Sequence, residues 1–371
     1  MKCGDTVKIG ELSLREKIGQ KFIFGVYSEN VDVIVDLIKE CYIGGVILYK
    51  NNYKNYDEML SVIKKFKDAN KNNKIPLFIA IDQEGGRVNR MPSEFSNLKN
   101  IYDVSKMDDS LIDRYADITG KMLKESGINM NFAPVMDMYD GKSKVLYKRC
   151  FYGDIDDIYR FGKRYVNSMN NRGVIPVLKH YPGHGATTVD SHFFTPYVYD
   201  YKKVLEKHIL PFDRIINDKD GTVVDALMVN HMVIRKLTGG IPASISSSFI
   251  DEYVRKRNNF DGLVITDEMN MLSRNIVYKF SYLKKMFLSD SDLILVKIKS
   301  KKEAIRLIDK YVKYVDDCDN KDVIRMIDNS VLRIVRIKDK YNINDGTEYE
   351  GSNIIEINKE IDKINKLCNI K

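Results

Sequence analysis

Apolar residues recur along the chain in short runs that end at polar or turn-forming residues. Runs of this length that are rich in valine, isoleucine and leucine are typical of strands buried on both faces of a parallel sheet. The pattern predicts eight strands, at Phe22–Val26, Gly45–Tyr49, Pro76–Asp82, Met130–Met136, Ile175–Lys179, Ala226–Asn230, Leu263–Asp267 and Asp292–Val296.

Between these runs, apolar residues follow the period of a helix. In Tyr56–Asn70, for example, Met59, Ile63 and Phe66 are spaced so that they share one helix face. Strands that alternate with helices indicate a parallel sheet, and eight such units predict a single-domain α/β protein with a closed (β/α)8 barrel of the TIM type. The alternative is an open doubly wound sheet, although no glycine-rich phosphate-binding fingerprint follows the first strand. The predicted helices are Val31–Glu40, Tyr56–Asn70, Ser110–Ser126, Ile155–Asn171, Tyr201–Asn217, Ser247–Arg257, Ser273–Leu288 and Lys302–Tyr314.

The chain beyond the eighth predicted helix continues as a helical extension. An amphipathic helix is predicted at Val323–Lys340, a polar linker at Asn342–Ser352 and a terminal helix after the linker. We therefore expect residues 1–340 to form the barrel domain, and residues 341–371 to form a linker and a C-terminal helix that packs on the barrel.

The composition is that of an ordinary globular protein, with 44% hydrophobic and 30% charged residues among 371. No run of about 18 apolar residues is present, so no membrane span is expected. The net charge of +8 comes from 60 basic and 52 acidic residues spread along the whole chain, which argues against nucleic-acid binding. We expect a monomer or a weak dimer.

The five cysteines are scattered and form no C-x-x-C pair, which argues against a disulfide framework and against a structural zinc site. No apolar signal-peptide core follows Met1, so we expect a cytoplasmic protein. If a leader had been trimmed, the protein would instead be exported or lipid-anchored, and Cys3 near the start would suit such an anchor.

Three of the five histidines lie in the segment Lys179–His192, directly after the fifth predicted strand. Proline at residue 182 and glycine at residues 183 and 185 prevent a helix and predict a loop that can approach a ligand closely. His180 and His184 have the i, i+4 spacing of a helical zinc pair. Because the chain between them cannot be helical, the spacing is only weak support for a metal site, and this alternative stays open.

Asp190 and His192 lie two residues apart in the same loop. A carboxylate at that spacing can accept a hydrogen bond from one imidazole nitrogen and leave the other free to exchange a proton. The pair therefore has the outline of a general acid/base dyad. The alternative is a solvated or helix-capping histidine, which is the commoner role of a loop histidine.

Polar residues also follow other predicted strands, where a barrel enzyme has its active site. Asp82 ends the third strand, and Arg87 and Arg90 follow it. This pattern predicts a carboxylate that accepts bonds from substrate hydroxyls beside a guanidinium that holds it or the substrate. A tight turn with surface arginines is the alternative. Arg149 offers another cation, with a solvated loop arginine as its alternative.

Two further strand-end residues favour structural roles. Asp137 lies just beyond the fourth predicted strand, where an aspartate is more often a turn residue than a catalytic one. His231 follows the sixth predicted strand, and a core histidine with satisfied hydrogen bonds is its favoured interpretation.

Asp267 is the most suggestive carboxylate, because it follows an almost wholly apolar strand with only Thr266 between. It should emerge at the barrel mouth as a fixed, partly desolvated group. Such a carboxylate can attack an anomeric carbon and form a covalent glycosyl ester. A helix-start cap is the alternative. Glu268 is expected to point elsewhere, because adjacent residues diverge at a strand end.

With these residues in place, the chain resembles glycoside hydrolase family 3, and within it the single-domain β-N-acetylglucosaminidases of the NagZ type. The resemblance runs from about Leu12 to Val296, and several separated motifs in order are more specific than any one. The motifs are Leu14–Gln20, Gly44–Leu48, Asp82–Arg90, Phe132–Val135, Lys179–His192, Pro242–Ser244 and Asp267.

The resemblance implies a (β/α)8 barrel without cofactor, with Asp267 as nucleophile, His192 as acid/base and Asp190 as its partner. It implies a retaining exo-β-N-acetylglucosaminidase that releases terminal β-linked N-acetylglucosamine from peptidoglycan fragments. His184 would shape the loop. The residues implied to bind the sugar's hydroxyl and acetamido groups are Asp82, Arg90, Arg149, Lys179 and His180.

Two departures from the family pattern bear on rate and pH profile more than on reaction type. Ala186 replaces a common aspartate near the dyad, and Thr266–Met269 reads Thr-Asp-Glu-Met in place of Ser-Asp-Asp-Leu.

Three alternatives remain open. The same fold and chemistry would serve a phosphorylase that uses phosphate as the second nucleophile. A non-catalytic sugar-binding barrel is made plausible only by Ala186. A zinc-dependent hydrolase would use His180, His184, His192 and Asp190.

Overall fold

The computed structural model describes residues 7–28, 30–187, 196–272, 280–318, 320–347, 349 and 351–369. One sheet of eight strands dominates these residues. Its strands are β1 (Phe22–Val26), β2 (Gly45–Leu48), β3 (Phe78–Ile81), β4 (Met130–Asn131), β5 (Ile175–Tyr181), β6 (Ala226–Val229), β7 (Leu263–Thr266) and β8 (Ile294–Ile298).

The strands are parallel and lie in the order β8-β1-β2-β3-β4-β5-β6-β7. The two outer members, β7 and β8, meet through a parallel bridge between Ile265 and Leu293. The N–H of Thr266 donates to the carbonyl of Leu293 at 3.0 Å. These contacts bring the sheet round into a barrel, so the predicted (β/α)8 fold is confirmed and the open doubly wound sheet is excluded.

All eight predicted strands are present, and the clearest difference in length is β4, which was predicted to reach Met136. Pro134 has no N–H to donate, so the regular ladder ends at Asn131. Pairing with β5 resumes at an isolated bridge between Val135 and Lys179. The shortened strand still leaves residues 132–137 at the carboxyl end of the barrel.

Among the described residues, ten α-helices have at least seven residues, and most follow a strand. The predicted helix Tyr201–Asn217 is divided, because a π-helical turn at Val204–His208 precedes its last part, and Ile250–Lys256 is also π-helical. The helices are α1 (Leu14–Gln20), α2 (Asp32–Cys41), α3 (Tyr56–Asn70), α4 (Asp109–Glu125), α5 (Ile155–Asn171), α6 (Leu210–Ile216), α7 (Phe280–Phe287), α8 (Lys301–Cys318), α9 (Lys321–Lys340) and α10 (Ile354–Leu367).

The apolar core has two layers, as alternation along the strands requires. The larger layer fills the space between the strands and the surrounding helices. The smaller layer fills the barrel itself with inward-facing side chains such as Ile23, Phe78, Val177 and Ile265. The barrel interior is therefore packed and is not a channel.

Helix α9 covers the amino-terminal end of the barrel. Its Ile334 and Ile337 join the inner core, and Lys338 Nζ donates to the carbonyl of Gly44 at 2.8 Å and to Gln20 Oε1 at 3.0 Å. Gly44 and Gln20 precede β2 and β1, which places this contact at the strand starts. A ligand can therefore reach the barrel axis only from the carboxyl end of the strands.

The C-terminal helix α10 packs on α4. Ile357, Ile361 and Ile364 are buried in the outer core, and Arg114 of α4 donates two hydrogen bonds to Glu360 at 2.8 and 2.6 Å. None of the helices in the described part of the chain combines the length and the apolar character that crossing a bilayer requires.

Candidate active site

A cavity of about 220 Å³ opens at the carboxyl end of the barrel. Charged side chains from the ends of β3, β5 and β7 converge in it, whereas a larger cavity of about 430 Å³ beside α3 lies on the outer surface. Convergent charge at strand ends marks the smaller cavity as the candidate site. Its lining includes Tyr49, Asp82, Glu84, Arg90, Phe132, Arg149, Lys179, His180, His184, Asp267 and Glu268.

Lys179 lies at the centre of a charged network on one wall of the cavity. Its Nζ is 2.8 Å from Asp82 Oδ1 and 2.6 Å from Glu84 Oε1. Burial lowers the pKa of Lys179, but the charges of Asp82 and Glu84 outweigh burial and raise it. The ammonium therefore stays charged and fixed, with one of its three protons left for a ligand.

Glu84 is the anchor of this network. Arg149 grips it with Nε and Nη2, each 2.8 Å from a carboxylate oxygen, in the two-pronged geometry that suits a guanidinium. Burial raises the pKa of Glu84, but the charges of Arg149 and Lys179 outweigh it, so the pKa lies well below its ordinary value. Glu84 therefore holds both cations in place at neutral pH.

His180 is oriented by a buried aspartate. Its Nδ1 is 2.7 Å from Asp137 Oδ2, and the N–H of His184 donates to Asp137 Oδ1 at 2.6 Å. Burial raises the pKa of Asp137, but His180 and His184 outweigh it and the net shift is downward. Because an ionised carboxylate only accepts, we assign the hydrogen to His180 Nδ1, which leaves Nε2 available to a ligand.

Asp267 follows β7 and is 8% exposed. Its Oδ1 accepts the N–H of Glu268 at 2.8 Å. Burial raises the pKa of Asp267, but His180, His231, the Glu268 N–H and Lys179 lower it, and the lowering prevails. The carboxylate is therefore ionised at neutral pH and faces the cavity as a fixed anion.

Glu268 also lines the cavity, so the expectation that it points elsewhere is wrong. Strand alternation no longer applies, because β7 ends at Thr266 and the chain turns into a short 3-10 helix at Met269–Met271. The Oη of Tyr49 donates to Glu268 Oε2 at 3.1 Å. Burial is the main reason that the pKa of Glu268 is raised, with Asp267 and Asp82 adding to it.

His231 has the structural role that the sequence favoured. Its Nε2 donates to the carbonyl of Glu268 at 3.0 Å, and its Nδ1 lies 2.6 Å from Ser244 Oγ. The imidazole therefore supports the turn that carries Asp267 and Glu268. Arg87, by contrast, donates to the carbonyls of Lys144 and Val145, which ties two loops together outside the cavity.

The structure brings together all the described residues that the family resemblance implied for the site. These line one cavity, although they come from the ends of four different strands or the segments that follow them. Asp190 and His192, the predicted acid/base dyad, lie outside the described residues. The residues that share the cavity are Asp82, Arg90, Arg149, Lys179, His180 and Asp267.

Sequence reasoning missed two residues that organise the site. Glu84 stands two positions after Asp82, and its partner Arg149 is 65 positions away. Asp137 was interpreted as a turn residue, and its partner His180 is 43 positions away. Each of these carboxylates follows a strand and has no helix start nearby that it could cap, which could have indicated a role in the site. Only the folded structure shows which cation or imidazole binds it.

His180 and His184 are the two proposed zinc ligands that lie in the described part of the chain. Among the described residues, no group of three or more histidine, cysteine, aspartate or glutamate side chains is arranged to hold an ion. The rings of His180 and His184 have centroids 6.0 Å apart, and two of the four proposed zinc ligands, Asp190 and His192, are not described. The zinc alternative therefore stays a hypothesis.

Residues 13–337 match the family described as Glycosyl hydrolase family 3 N terminal domain. The chain belongs to this family. A protein named Beta-hexosaminidase from Psychromonas ingrahamii is 32% identical over 243 residues, which cover 63% of this chain and 69% of that protein. Beta-hexosaminidase A from Pseudoalteromonas piscicida is 30% identical over 326 residues, which cover 82% of this chain but only 54% of that protein.

A solved structure supports the same family 3 fold. The family 3 β-N-acetylglucosaminidase from Paenibacillus sp. str. FPU-7 superposes with a TM-score of 0.85 at 27% identity, covering 96% of this chain and 69% of that one. The predicted family and barrel fold are thus confirmed, and the protein is a glycoside hydrolase. The roles assigned to individual site residues stay predictions.

Proposed function

We propose that this family 3 glycoside hydrolase is a retaining exo-β-N-acetylglucosaminidase that releases terminal β-linked N-acetylglucosamine from peptidoglycan fragments. The observation that carries the proposal is the buried, ionised carboxylate of Asp267, which faces a cavity lined by charged and hydrogen-bonding side chains. The names of the relatives from Psychromonas ingrahamii and Paenibacillus support the choice of N-acetylhexosamine as substrate.

The size of the cavity favours cleavage from a chain end. The cavity of about 220 Å³ is smaller than the roughly 300–1,000 Å³ of pockets for drug-sized ligands, so it suits a small unit such as one sugar residue. The barrel core closes the cavity from below, and α9 covers the opposite end. A polysaccharide cannot thread through such a pocket, so only a terminal residue enters.

The charged network supplies the groups that hold the sugar. Asp82 accepts hydrogen bonds from hydroxyls, and the remaining proton of Lys179 donates to another sugar oxygen. Arg149 uses three of its five N–H groups in hydrogen bonds to Glu84 and to the carbonyl of Val145. The other two N–H groups can donate to the substrate. His180 offers Nε2, and Arg90 adds a further cation to the lining.

The proposed reaction has two steps. Asp267 attacks the anomeric carbon while protonated His192 gives its proton to the departing glycosidic oxygen, so a glycosyl ester forms as the glycosidic bond breaks. His192 then removes a proton from water, which hydrolyses the ester and frees Asp267. Asp190 stabilises the imidazolium and fixes its orientation. The ionised state of Asp267 supports its role as nucleophile.

Hydrolysis of 4-nitrophenyl β-N-acetylglucosaminide and of the corresponding β-glucoside tests the proposal. We expect the wild type to prefer the N-acetylglucosaminide and to release the β-anomer first, as proton NMR of the fresh product would show. Asp267→Ala should lower kcat by at least ~1,000-fold, as loss of a covalent nucleophile does. With phosphate present, free sugar is expected and not the sugar 1-phosphate.

Glu268→Gln is the matched control, because it removes the neighbouring carboxylate of the same wall. It should retain far more activity than Asp267→Ala. Full turnover by Asp267→Ala, or first release of the α-anomer, would overturn the assignment of Asp267 as the nucleophile of a retaining enzyme.

A further inference from the structure

Four tyrosine side chains form a cluster at the carboxyl end of the barrel. Tyr102 lies in the segment that follows β3, and Tyr139, Tyr147 and Tyr152 lie in the segment that follows β4. Their rings meet in a row that runs from Tyr147 through Tyr139 and Tyr102 to Tyr152, with centroids 6.1, 6.1 and 5.4 Å apart. We call these four residues the tyrosine cluster.

The tyrosine cluster exposes aromatic surface to water at both ends of the row. Tyr147 is 50% exposed and Tyr152 is 47% exposed, whereas Tyr139 and Tyr102 are half-buried between them. Because aromatic surface is costly to leave in water, a group of such rings marks a surface that binds a partner. The chain has no tryptophan, so stacking against a sugar ring falls to tyrosine or phenylalanine.

The loop that carries Tyr147 is fixed against the wall of the active-site cavity. Val145 and Arg149, two positions before and two positions after Tyr147, line the cavity. Arg149 makes two hydrogen bonds of 2.8 Å to Glu84, and Arg87 donates to the carbonyl of Val145. Tyr147 therefore stands at the edge of the cavity, on a segment that these bonds hold in place.

The tyrosine cluster lies across the barrel mouth from the proposed nucleophile. Asp267 follows β7, and in the closed order of eight strands β3 is opposite β7 and β4 is next to β3. The nucleophile attacks one face of the anomeric carbon, and the leaving group departs from the other face. The leaving group therefore points away from β7, toward the half of the mouth that carries the cluster. His192, the proposed acid, belongs to the segment after β5, the strand that pairs with β4.

The other exposed tyrosines of the described residues do not combine these features. Tyr27 is 64% exposed, but it follows β1, which only β8 separates from β7, so it lies on the Asp267 side of the mouth. Tyr197 and Tyr199 follow β5, but no residue of the described segment 196–203 lines the cavity. Tyr147 is thus the exposed ring that is both next to the cavity and opposite the nucleophile.

We propose that Tyr147, supported by the rest of the tyrosine cluster, binds the leaving group of the substrate, with the first sugar ring beyond the cleaved bond stacked on its aromatic face. The apolar C–H face of a pyranose suits such a ring, while the hydroxyl groups of the sugar stay in water. The ring of Tyr139 meets that of Tyr147 at 58° and limits its movement. This inference rests on the proposed function, because only a glycoside has such a leaving group.

Two substrates that share the terminal sugar isolate this contact. Methyl β-N-acetylglucosaminide has no second ring, and N,N′-diacetylchitobiose has one. We expect Tyr147→Ala to lower kcat/KM on the disaccharide by about three- to tenfold and to leave the methyl glycoside unchanged. Tyr147→Phe keeps the aromatic face and should keep wild-type values on both substrates. Inhibition by free N-acetylglucosamine, which needs only the cavity, should be the same in all three enzymes.

Tyr27→Ala is the matched control, because it removes an exposed tyrosine ring from the Asp267 side of the mouth. It should leave kcat/KM unchanged on both substrates. A loss on the disaccharide alone in this control would place the leaving group on the Asp267 side and would contradict the inference.

An equal loss by Tyr147→Ala on both substrates, together with weaker inhibition by N-acetylglucosamine, would show that Tyr147 acts only through the cavity wall, and would overturn the inference. If the wild type cleaves both substrates and Tyr147→Ala matches it on both, this inference fails and the proposed function stands. If the wild type cleaves neither substrate, the proposed function fails as well.

Discussion

The two ends of the barrel each hold a buried aspartate beside a strand, and the two carboxylates are used differently. Asp292 lies just before β8, at the amino-terminal end. Its oxygens accept the N–H of Val264 at 2.8 Å and the hydroxyl of Ser330 at 3.0 Å, and the guanidinium groups of Arg255 and Arg333 add bonds of 2.7 and 3.1 Å. A carboxylate offers about four acceptor positions, so Asp292 is saturated.

Asp267 lies just after β7, at the opposite end. From the part of the chain that the structure describes it accepts one hydrogen bond, the Glu268 N–H at 2.8 Å. Both carboxylates have a lowered pKa despite burial, Asp292 through Arg255, Arg333 and Lys21, and Asp267 through His180 and His231. The ionised carboxylate of Asp292 therefore stabilises the fold at one end of the barrel. That of Asp267, at the other end, can still accept hydrogen bonds from a ligand.

The buried lysines at the two ends also differ, but in the opposite sense. Lys179 faces the cavity and is held by the carboxylates of Asp82 and Glu84. Lys21 at the closed end donates to the carbonyl of Ser291 and to Ser330 Oγ, both at 2.7 Å. Burial lowers the pKa of Lys21 to about 8, whereas that of Lys179 is raised. Ion pairs therefore hold the lysine at the functional end, whereas neutral hydrogen-bond acceptors hold the lysine at the closed end.

The largest contrast is expected between Asp267→Asn and Asp292→Asn. Asp267→Asn should lower kcat at least ~1,000-fold with little change in the free energy of unfolding. Asp292→Asn should lower the free energy of unfolding by about 3–5 kcal/mol, because buried guanidinium groups lose their counter-ion, and folded enzyme should keep its kcat. Urea unfolding and kcat at saturating substrate measure both. An Asp292→Asn variant that is inactive but as stable as the wild type would contradict the structural role of Asp292.

Variants of His192 and His180 should differ in how they depend on the leaving group. His192→Ala should lower hydrolysis of N,N′-diacetylchitobiose by ~100-fold or more, and that of an activated 4-nitrophenyl glycoside much less, because the phenol needs little protonation. His180→Ala should lower the hydrolysis of both substrates by a similar factor, because we assign His180 to sugar binding. The reverse pattern would move the acid/base role to the His180–Asp137 pair.

A smaller effect is expected from the lysines at the two ends. Lys179→Met should lower kcat/KM by about 10- to 100-fold, because a charge-assisted contact to the sugar is lost. Lys338→Met should leave kcat/KM unchanged and lower the free energy of unfolding by about 1–3 kcal/mol, because the oxygens of Gly44 and Gln20 lose a donor. Equal kinetic losses in both variants would erase the distinction.

The smallest effect is a pH dependence at the closed end. The folded pKa of Lys21 is about 8, below the ordinary ~10.4, so the unfolded chain binds this proton more tightly. The free energy of unfolding contributed by Lys21 therefore rises with pH between these values. The wild type should gain on the order of 2 kcal/mol over Lys21→Met between pH 8 and 10. A constant difference across that range would show that Lys21 is not desolvated.

The sequence predicted the barrel because each strand is a continuous apolar run, and such runs are locally readable. The predicted end of β4 was wrong, because Pro134 interrupts the ladder. The predicted direction of the Glu268 side chain was also wrong, because β7 ends before this residue. Both errors arise at strand ends, where alternation ceases to apply.

The sequence predicted which residues form the site, but not which of them bind one another. The charged residues stand at strand ends, which topology alone brings to one rim. Lys179 and Asp82, however, are 97 positions apart, and nothing local shows that Glu84 binds both Lys179 and Arg149. Ionisation of Asp267 likewise depends on His180 and His231, which only the folded chain brings near.

The central claim, that Asp267 is the carboxylate that bonds to the sugar, is tested most directly by covalent trapping. A 2-acetamido-5-fluoro glycosyl fluoride forms an ester that hydrolyses slowly, and peptide mass spectrometry locates it. The account predicts the added sugar mass on the peptide that contains Asp267, and no label in Asp267→Asn. A label on Glu268, or rapid turnover of the reagent with no labelled carboxylate, would contradict it.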